Sequence, residues 1–343
     1  MNQKIRENNW QNEDGAERDV VLSSRVRLAR NLKNYNFPNQ LSLSKKNELI
    51  EDLKDKLSFL EGEKYSFFKM DDFTQLERNV LQEKNLISRE HAENIQGKGL
   101  IINNDRHISI MINEEDHLRI QAFGAGLEFA KVWGRADLVD DQIESVVDYA
   151  FSDKWGYLTA CPTNVGTALR ASAMCHLPGL VITGRINDIL GAVGKFGLTV
   201  RGVYGEGSSS TGELFQVSNQ ITLGYSEEEI IDNLESIIYQ IIEEERKSRD
   251  YLLNYDFEEI KDIVQRSLGT LKYAYKLEEK EALNYLSRLK LGLEMGLIDE
   301  EIDSTFFSDL LFKIREAHLK MDETAENEQM DIRRAQIIQN RLK

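Results

Sequence analysis

Along DVVLSSRVRLARNL (19–32) apolar and polar positions alternate and β-branched residues are frequent, which predicts a strand running into a turn before Pro38. The period then lengthens. In SLSKKNELIEDLKDKLSFL (42–60) Leu and Ile fall at helical spacing behind a serine that can serve as a cap. GLIINNDRHISIMINEED reads as a hairpin turning at Asn103, Asn104 and Asp105, and an amphipathic helix is predicted from about Gly126 to Ala150. GYLTACPTNVGTALRASAMCHLPGL reads as strand, loop and a short helix stopped by Pro178, and LVITGRINDILGAVGKFG as a helix closed by Gly197. LTVRGVYGEGSSSTGELFQVSNQITLG alternates again, as two strand-like runs around a Gly/Ser loop at 205–212.

From Ser226 the pattern is helical. Ser226 and Glu229 form a capping box ahead of a long helix, and 277–297, 303–321 and 330–343 are amphipathic. Beyond about Tyr255 there is almost no strand signal. The pattern therefore predicts an α+β domain over 19–255 followed by an all-α domain over 256–343.

Charge narrows the functional classes. The 343 residues carry 43 Lys and Arg against 59 Asp and Glu, a formal net charge of −16. A phosphate backbone or an anionic membrane surface would be repelled by that summed field, so neither nucleic acid nor membrane is an expected partner. No apolar run approaches membrane-spanning length and the N-terminus is polar, without the pattern of a leader. Cys161 and Cys175 are too few for a disulfide scaffold, and a reduced, cytoplasmic protein is expected.

Several chemistries have no motif. There is no G-x-x-x-x-G-K-[ST] phosphate loop, no H-R-D or D-F-G set, no G-x-G-x-x-G, and no Cys/His spacing that suggests zinc. A nucleotide would have to be held by other means, and arginine can supply them. Arg25 and Arg27, two apart on a strand, point to one face. Arg119 follows the acidic run of IMINEEDHLRI (110–120), Arg170 follows C-P-T-N, and Arg201 precedes the Gly/Ser loop. A guanidinium donates two parallel hydrogen bonds to phosphate and stays charged at physiological pH. Singly, each arginine reads as an exposed charge or a surface ion pair. Five at strand ends in an acidic protein shift that balance, although spacing alone does not make them converge.

VLSSRVRLAR, NEEDHLR, CPTNVGTALRAS and RGVYGEG…FQVSNQ…LG resemble, in the same order, segments of the phosphagen (guanidino) kinases, and more closely the bacterial protein-arginine kinases of the McsB type. The resemblance covers roughly 19–250, and the tail fits as well. It implies a glutamine-synthetase-like antiparallel sheet flanked by helices, and transfer of the γ-phosphoryl of ATP, with Mg²⁺ held mainly by nucleotide and water, to arginine side chains of proteins. Carried over by position, the ATP-binding residues are Ser23, Ser24, Arg25, Val26, Arg27, Arg119, Arg170, Ala171, Ser172, Ala173, Met174, Arg201, Gly202, Val203, Tyr204, Gly205 and Glu206. Glu115 and Glu206 match the carboxylates that receive the acceptor guanidinium, and Cys161 matches the reactive cysteine; on the residues alone it would read as a small buried thiol. Glu114, Asp116 and His117 are expected to hold the wall, and Cys175 to be structural.

The resemblance also implies partners. They are arginine-bearing protein substrates including a heat-shock repressor, an Hsp100-type unfoldase and a small activator protein, in a homodimeric enzyme of the bacterial stress response. Small-substrate members place a helical domain ahead of the S-S-R-V-R segment, whereas few residues precede Arg25 here, so an open acceptor pocket is expected. Two positions depart from the pattern. Asn85 stands where the family usually has histidine, and Met330 replaces the first arginine of R-D-x-x-R-A, leaving Asp331, Arg334 and Ala335 of an allosteric phosphoarginine site. A solvated amphipathic helix accounts for that tail equally well. The competing functions are a free-guanidino kinase acting on a small molecule and a non-catalytic adaptor that binds nucleotide or phosphoarginine.

Overall fold

The computed structural model describes residues 10–62, 65–203, 210–303, 305–321 and 329–343. Alternation sets the first strand, β1 (Val21–Arg30): Ser24, Val26, Leu28 and Arg30 are buried, and Arg25, Arg27 and Ala29 between them are half-buried. The other strands are β2 (Tyr65–Lys69), β3 (Gly99–Asn103), β4 (Ile108–Ile112), β5 (Leu118–Ala125), β6 (Phe151–Ser152), β7 (Gly156–Tyr157), β8 (Leu169–His176), β9 (Leu198–Gly202) and β10 (Leu214–Asn219). Eight of them form one sheet in the order β2-β3-β4-β5-β1-β8-β10-β9, and β6 and β7 pair separately.

The expected hairpin is present, with Gly99 opposite Ile112 and Ile102 opposite Ser109. β4 continues into β5, where Met111 faces Arg119 and Ile112 faces Leu118. The acidic run is the turn between them. Asn113 N donates to His117 O at 2.9 Å, with Asn113 in the left-handed region at φ 59°.

Helices flank the strands in sequence: α1 (Leu43–Lys56), α2 (Phe59–Gly62), α3 (Gln75–Glu83), α4 (Arg89–Glu93), α5 (Phe129–Glu144), α6 (Pro178–Ile182), α7 (Ile186–Gly194) and α8 (Glu227–Tyr255). The remainder is helical, α9 (Phe257–Tyr273), α10 (Glu279–Glu294), α11 (Phe306–Lys313), α12 (Glu316–Lys320) and α13 (Met330–Arg341). Ser42 caps α1, and Ser226 and Glu229 close the predicted box, with Ser226 N donating to Glu229 Oε2 at 2.8 Å and Glu229 N to Ser226 Oγ at 3.1 Å.

One sequence expectation is reversed. The stretch taken for a short helix before Pro178 is the strand β8, buried at Leu169, Ala171, Ser172, Ala173, Cys175 and His176. Its small residues favour a helix in isolation, but burial in the sheet overrides that preference. Pro178 does not stop a helix either. It opens α6, where its missing N–H is no loss. β2, β5, α3, α4 and α9 add to the expected set, and the predicted helix 126–150 shortens to α5.

Two compact units result. The first comprises the chain up to Glu13, Ser24–Ser172 and Asn219–Leu234; the second comprises Asp14–Ser23, Ala173–Ser218 and Glu235–Lys343. Leu49, Leu53, Ile102, Ile110, Ile120 and Phe129 are buried in the first. The second has its own apolar cluster, which includes Val264, Leu271, Leu286, Phe306, Leu310 and Ile338. The first unit also contains a buried ion pair: Arg30 donates from Nε and Nη2 to Asp140 Oδ2 at 2.9 and 2.6 Å, with its guanidinium 3.5 Å from the ring centre of Tyr157.

Candidate active site

Five consecutive polar residues in a tight turn cannot all face water, and the turn sorts them. Asp116 and His117 go inward. Asp116 Oδ1 accepts from Asn31 Nδ2 at 2.6 Å and from Ala160 N at 2.7 Å, and Asn31 Oδ1 accepts from His117 N at 2.9 Å. His117 Nδ1 accepts from Leu32 N at 3.0 Å, so Nε2 carries the proton toward Asn36 O at 2.9 Å. Burial pulls this imidazole down to about 4 and keeps it neutral. The two side chains hold the wall.

Glu114 and Glu115, adjacent in sequence, meet opposite environments. Both Glu114 oxygens accept from Arg119 Nη1 at 2.9 Å, and Oε1 also accepts from Ser88 Oγ at 2.7 Å. Burial works to raise the Glu114 carboxyl, but the Arg119 charge and these bonds outweigh it and leave it at about 2. Glu115 is exposed, and its carboxylate makes no ion pair among the described residues. Partial desolvation, then the charges of Asp116 and Glu114, push it above the ordinary carboxylate range. A basic carboxylate open to solvent is suited to receive a guanidinium and accept its proton.

Beside this wall the sheet gathers cations. Arg119 on β5, Arg25 and Arg27 on β1, and Arg170 on β8 come from three neighbouring strands. Burial and then Arg119 lower Arg25 to about 10. Arg27 falls well below its ordinary value through burial first and then through Arg25, Arg119 and Arg170, with only Glu114 opposing. Its Nε is shut off from solvent and has no hydrogen-bond partner among the described residues. A half-buried guanidinium with its Nε shut off from solvent and three others repelling it is a costly arrangement unless an anion joins it.

The loop before β8 is built with equal care. Cys161, half-buried, leads into the Pro162–Asn164 turn, with Sγ 3.1 Å from Thr163 Oγ1. Asn164 Oδ1 accepts from Arg170 Nε and Nη2 at 3.3 Å each, and Asn219 O accepts from Arg170 Nη1 at 2.8 Å. Gly166, at φ 111°, has no room for a side chain, since a Cβ would stand 2.1 Å from Thr222 O. One short loop thus carries the thiol at one end and aims an arginine at the other. Cys175 is fully buried, its thiol pushed up to about 12.

The remaining candidates divide. Ser23 is half-buried, while Ser24 and Val26 face away from Arg25 and Arg27 into the interior. The Ser24 hydroxyl is engaged by the fold, donating to Gly126 O at 2.7 Å and accepting from Glu128 N at 3.1 Å. Ala171, Ser172 and Ala173 are buried along β8 and Met174 is half-buried. Arg201 is exposed on β9, with Gly202 and Val203 half-buried after it. Tyr204, Gly205 and Glu206 lie outside the described residues. Asn85 follows α3 at φ 59°, a left-handed position that asparagine tolerates well. In the tail, Arg334 donates from Nε to Ile314 O at 2.8 Å and from Nη1 to Leu277 O and Asp331 Oδ1 at 2.7 and 2.6 Å, and Ala335 is buried.

Ser88, Asn31, Asn164 and Asn219 orient the site and were not singled out by sequence pattern. Asn219 Oδ1 accepts from Ala171 N at 2.8 Å and its Nδ2 donates to Leu169 O at 3.0 Å. Asn164 and Asn219 lie within the motifs CPTNVGTALRAS and FQVSNQ, and Ser88 closes the KNLIS segment around Asn85; membership of those motifs was the available signal, and Asn31 had none. Among the described residues no group of three or more His, Cys, Asp or Glu is placed to hold a metal ion, and no helix is long and apolar enough to cross a membrane.

Comparison with known proteins places this geometry. Residues 48–248 match the family model of the ATP:guanido phosphotransferase C-terminal catalytic domain, and 257–343 match that of the protein-arginine kinase McsB C-terminal domain. The chain is 50% identical over 335 residues to the protein-arginine kinase of Halothermothrix orenii, covering 97% of this chain and 96% of that one. It is 42% identical over 338 residues to the protein-arginine kinase of Bacillus subtilis, covering 97% and 93%. Among solved structures, lombricine kinase superposes with a TM-score of 0.60 at 25% identity, covering 67% of each chain. The duplicated taurocyamine kinase of Schistosoma mansoni gives 0.63 at 24% identity, covering 77% of this chain and 39% of that one, and supports the fold.

Proposed function

The chain belongs to the ATP:guanido phosphotransferases and, within them, to the protein-arginine kinases, and from that premise we propose that its arginine cluster holds the phosphates of ATP while Glu115 receives the arginine of a protein substrate. The observation that carries the reading is Arg27, half-buried and repelled by Arg25, Arg119 and Arg170, with a buried Nε that has no hydrogen-bond partner among the described residues. A polyphosphate supplies what that site lacks. Its charge offsets the mutual repulsion, and its oxygens accept the unmet hydrogen bonds.

The chemistry follows from the two walls. A substrate guanidinium is a weak nucleophile while its nitrogen lone pair is delocalised and its proton retained. Glu115, raised above the ordinary carboxylate range, aligns that nitrogen and accepts the proton as the N–P bond forms and the bond from the γ-phosphorus to the bridging oxygen breaks. Arg119, oriented by Glu114, and Arg170, oriented by Asn164, then sit where charge spreads over the transferring phosphoryl oxygens. Mg²⁺ belongs in this reading as the escort of the nucleotide, neutralising phosphate charge; no protein ligand is assigned to it. We assign Glu206 the role of second acceptor carboxylate and Arg201 that of a further phosphate contact, on the family motif alone. Cys161 is assigned the role of the family's reactive cysteine on the motif alone, and its loop also positions Arg170. The catalytic part would span 19–255 and the helical part 256–343. The tail geometry favours a structural tie for Asp331, Arg334 and Ala335. A cytoplasmic place in protein quality control, dimerisation, and partnership with an unfoldase and an activator complete the reading.

The test is direct. The protein is incubated with Mg-ATP and either an arginine-bearing protein or free L-arginine, and acid-labile N–P phosphorus is followed by ³¹P NMR. Signal on the protein substrate is expected. Signal confined to free arginine would make this a small-molecule kinase, and silence on both, with an activator protein supplied, would sink the reading. Glu206→Ala is expected to lose transfer while retaining the fold.

A further inference from the structure

We propose that Ser88 is a positioning residue for phosphoryl transfer: its hydroxyl fixes the Glu114 carboxylate, which in turn holds Arg119 on the phosphate side and the backbone of Glu115 on the acceptor side. The inference rests on the roles assigned above to Arg119 and Glu115.

A carboxylate can anchor two groups only if it is itself held still. The Glu114 side chain is 6% exposed and every bond it makes is short. Both oxygens accept from Arg119 Nη1 at 2.9 Å, Oε2 also accepts from Glu115 N at 3.0 Å, and Oε1 from Ser88 Oγ at 2.7 Å. Arg119 is thereby gripped at one corner. Among the described residues its Nε and Nη2 make no hydrogen bond. Those two N–H groups form the edge of a guanidinium that donates a parallel pair to phosphate. One carboxylate thus aims the phosphate-binding edge of Arg119 and tethers the main chain of the residue that receives the acceptor.

Ser88 is fixed in its turn by the segment that carries it. Residues 85–88 connect α3 to α4 and are pinned to the two strands that flank the acidic turn. Leu86 O accepts from Ser109 Oγ on β4 at 2.6 Å and from Gln121 Nε2 on β5 at 2.9 Å, and Ser88 N donates to Met111 Sδ on β4 at 3.3 Å. The hydroxyl has a single proton, and its use is decided by its neighbours. Ser88 Oγ accepts from His91 N at 3.1 Å, which caps α4, so its proton goes to Glu114. Glu114 has none to give, since its carboxyl is held at about 2. An aspartate would cap α4 as well as serine does. Only a hydroxyl caps the helix and donates to a carboxylate at once, and that second demand comes from Glu114.

The experiment measures kcat, KM and the Mg-ATP dissociation constant of the full-length protein with an arginine-bearing protein as acceptor, alongside thermal unfolding. Ser88→Ala removes the hydroxyl; Ser88→Gly removes it at little cost to the start of α4, because glycine is an acceptable cap, and serves if the first variant folds poorly; Ser88→Thr keeps it. Misplacing a reacting group by about an ångström costs about a hundredfold, so a loosened anchor is expected to lower kcat by about ten- to a hundredfold in the alanine and glycine variants alike. The ATP dissociation constant is expected to change less than about threefold, because Arg25, Arg27 and Arg170 stand on other strands. Ser88→Thr is expected to stay within about threefold of wild type, and in a Glu114→Ala background Ser88→Ala is expected to cost less than about threefold. Unchanged kcat in the alanine and glycine variants, no rescue by threonine, or an equal loss in both backgrounds overturns the proposal and leaves Ser88 a helix cap. Should Glu115→Gln and Arg119→Met turn over at the wild-type rate, the roles of those residues fail and the proposal with them; loss in those two variants with wild-type kcat in Ser88→Ala overturns the proposal alone.

Discussion

Replacing Arg27 by methionine removes one charge from the cluster while keeping nearly the same side-chain length. In the unliganded protein Arg27 is a liability. Its Nε is buried without a hydrogen-bond partner among the described residues, and three guanidiniums repel it. A buried unsatisfied donor costs about 1–3 kcal/mol, so Arg27→Met is expected to stabilise the unliganded protein by about that much. At roughly 2–4 °C per kcal/mol for a chain of this size, the unfolding temperature should rise by several degrees. Nucleotide binding responds in the opposite sense. Two charge-assisted hydrogen bonds from one guanidinium fork contribute about 3 kcal/mol, and their loss weakens ATP about a hundredfold. ATP at a hundred times the wild-type dissociation constant stabilises the wild type by about 2.7 kcal/mol, whereas the variant at the same concentration gains only about 0.4 kcal/mol. Urea and thermal unfolding with and without Mg-ATP read both quantities in one experiment. The reasoning is refuted if the unliganded variant melts below wild type, or if ATP stabilises the two proteins equally.

Other substitutions probe the remaining parts. Glu115→Gln is expected to lower kcat by about 10²–10⁴-fold with unfolding unchanged, since the group is exposed; in the wild type the acid limb of the pH–rate profile should lie above the ordinary carboxylate value, and a limb that persists in the variant would assign it elsewhere. Glu114 is depressed from 4.5 to about 2, so its contribution, about 2–3 kcal/mol, is present above pH 4.5 and lost as pH falls toward 2. Urea unfolding between pH 3 and 6 should therefore show a shallower acid loss in Glu114→Gln than in wild type; parallel curves would contradict the assignment. Asp140→Ala strands the buried Arg30 charge and should cost about 3–5 kcal/mol in urea unfolding, whereas a loss below about 1 kcal/mol would show that Arg30 finds another partner.

Local pattern carried much of this structure. Period-two alternation located β1 and the β3–β4 hairpin, and Ser226 with Glu229 marked the start of α8. It failed at β8. Alanine, serine and cysteine carry weak intrinsic preference for a strand, and only neighbours on both sides make LRASAMCH one. The contrast between Glu114 and Glu115 was equally hidden. Both are glutamates in the same turn, and what separates them is the reach of Arg119 and Ser88 from other elements. Asn31 was silent for the same reason, because its hydrogen-bond partners Asp116 and Leu158 lie far along the chain.

By itself the sequence determined the family, through motifs that occur in the family's order, and with it the class of chemistry. Periodicity also determined the strands and helices whose apolar faces are continuous in sequence. Tertiary structure alone decided that Arg119, Arg25, Arg27 and Arg170 come from adjacent strands, because strand order is set by long-range pairing that no local pattern encodes. It also decided which charge is spent on structure and which is left for substrate, because desolvation and pairing depend on surroundings and not on residue type. Glu114 and Arg334 are committed to partners within the protein, whereas among the described residues Arg27 Nε has no hydrogen-bond partner and the exposed Glu115 carboxylate no ion pair.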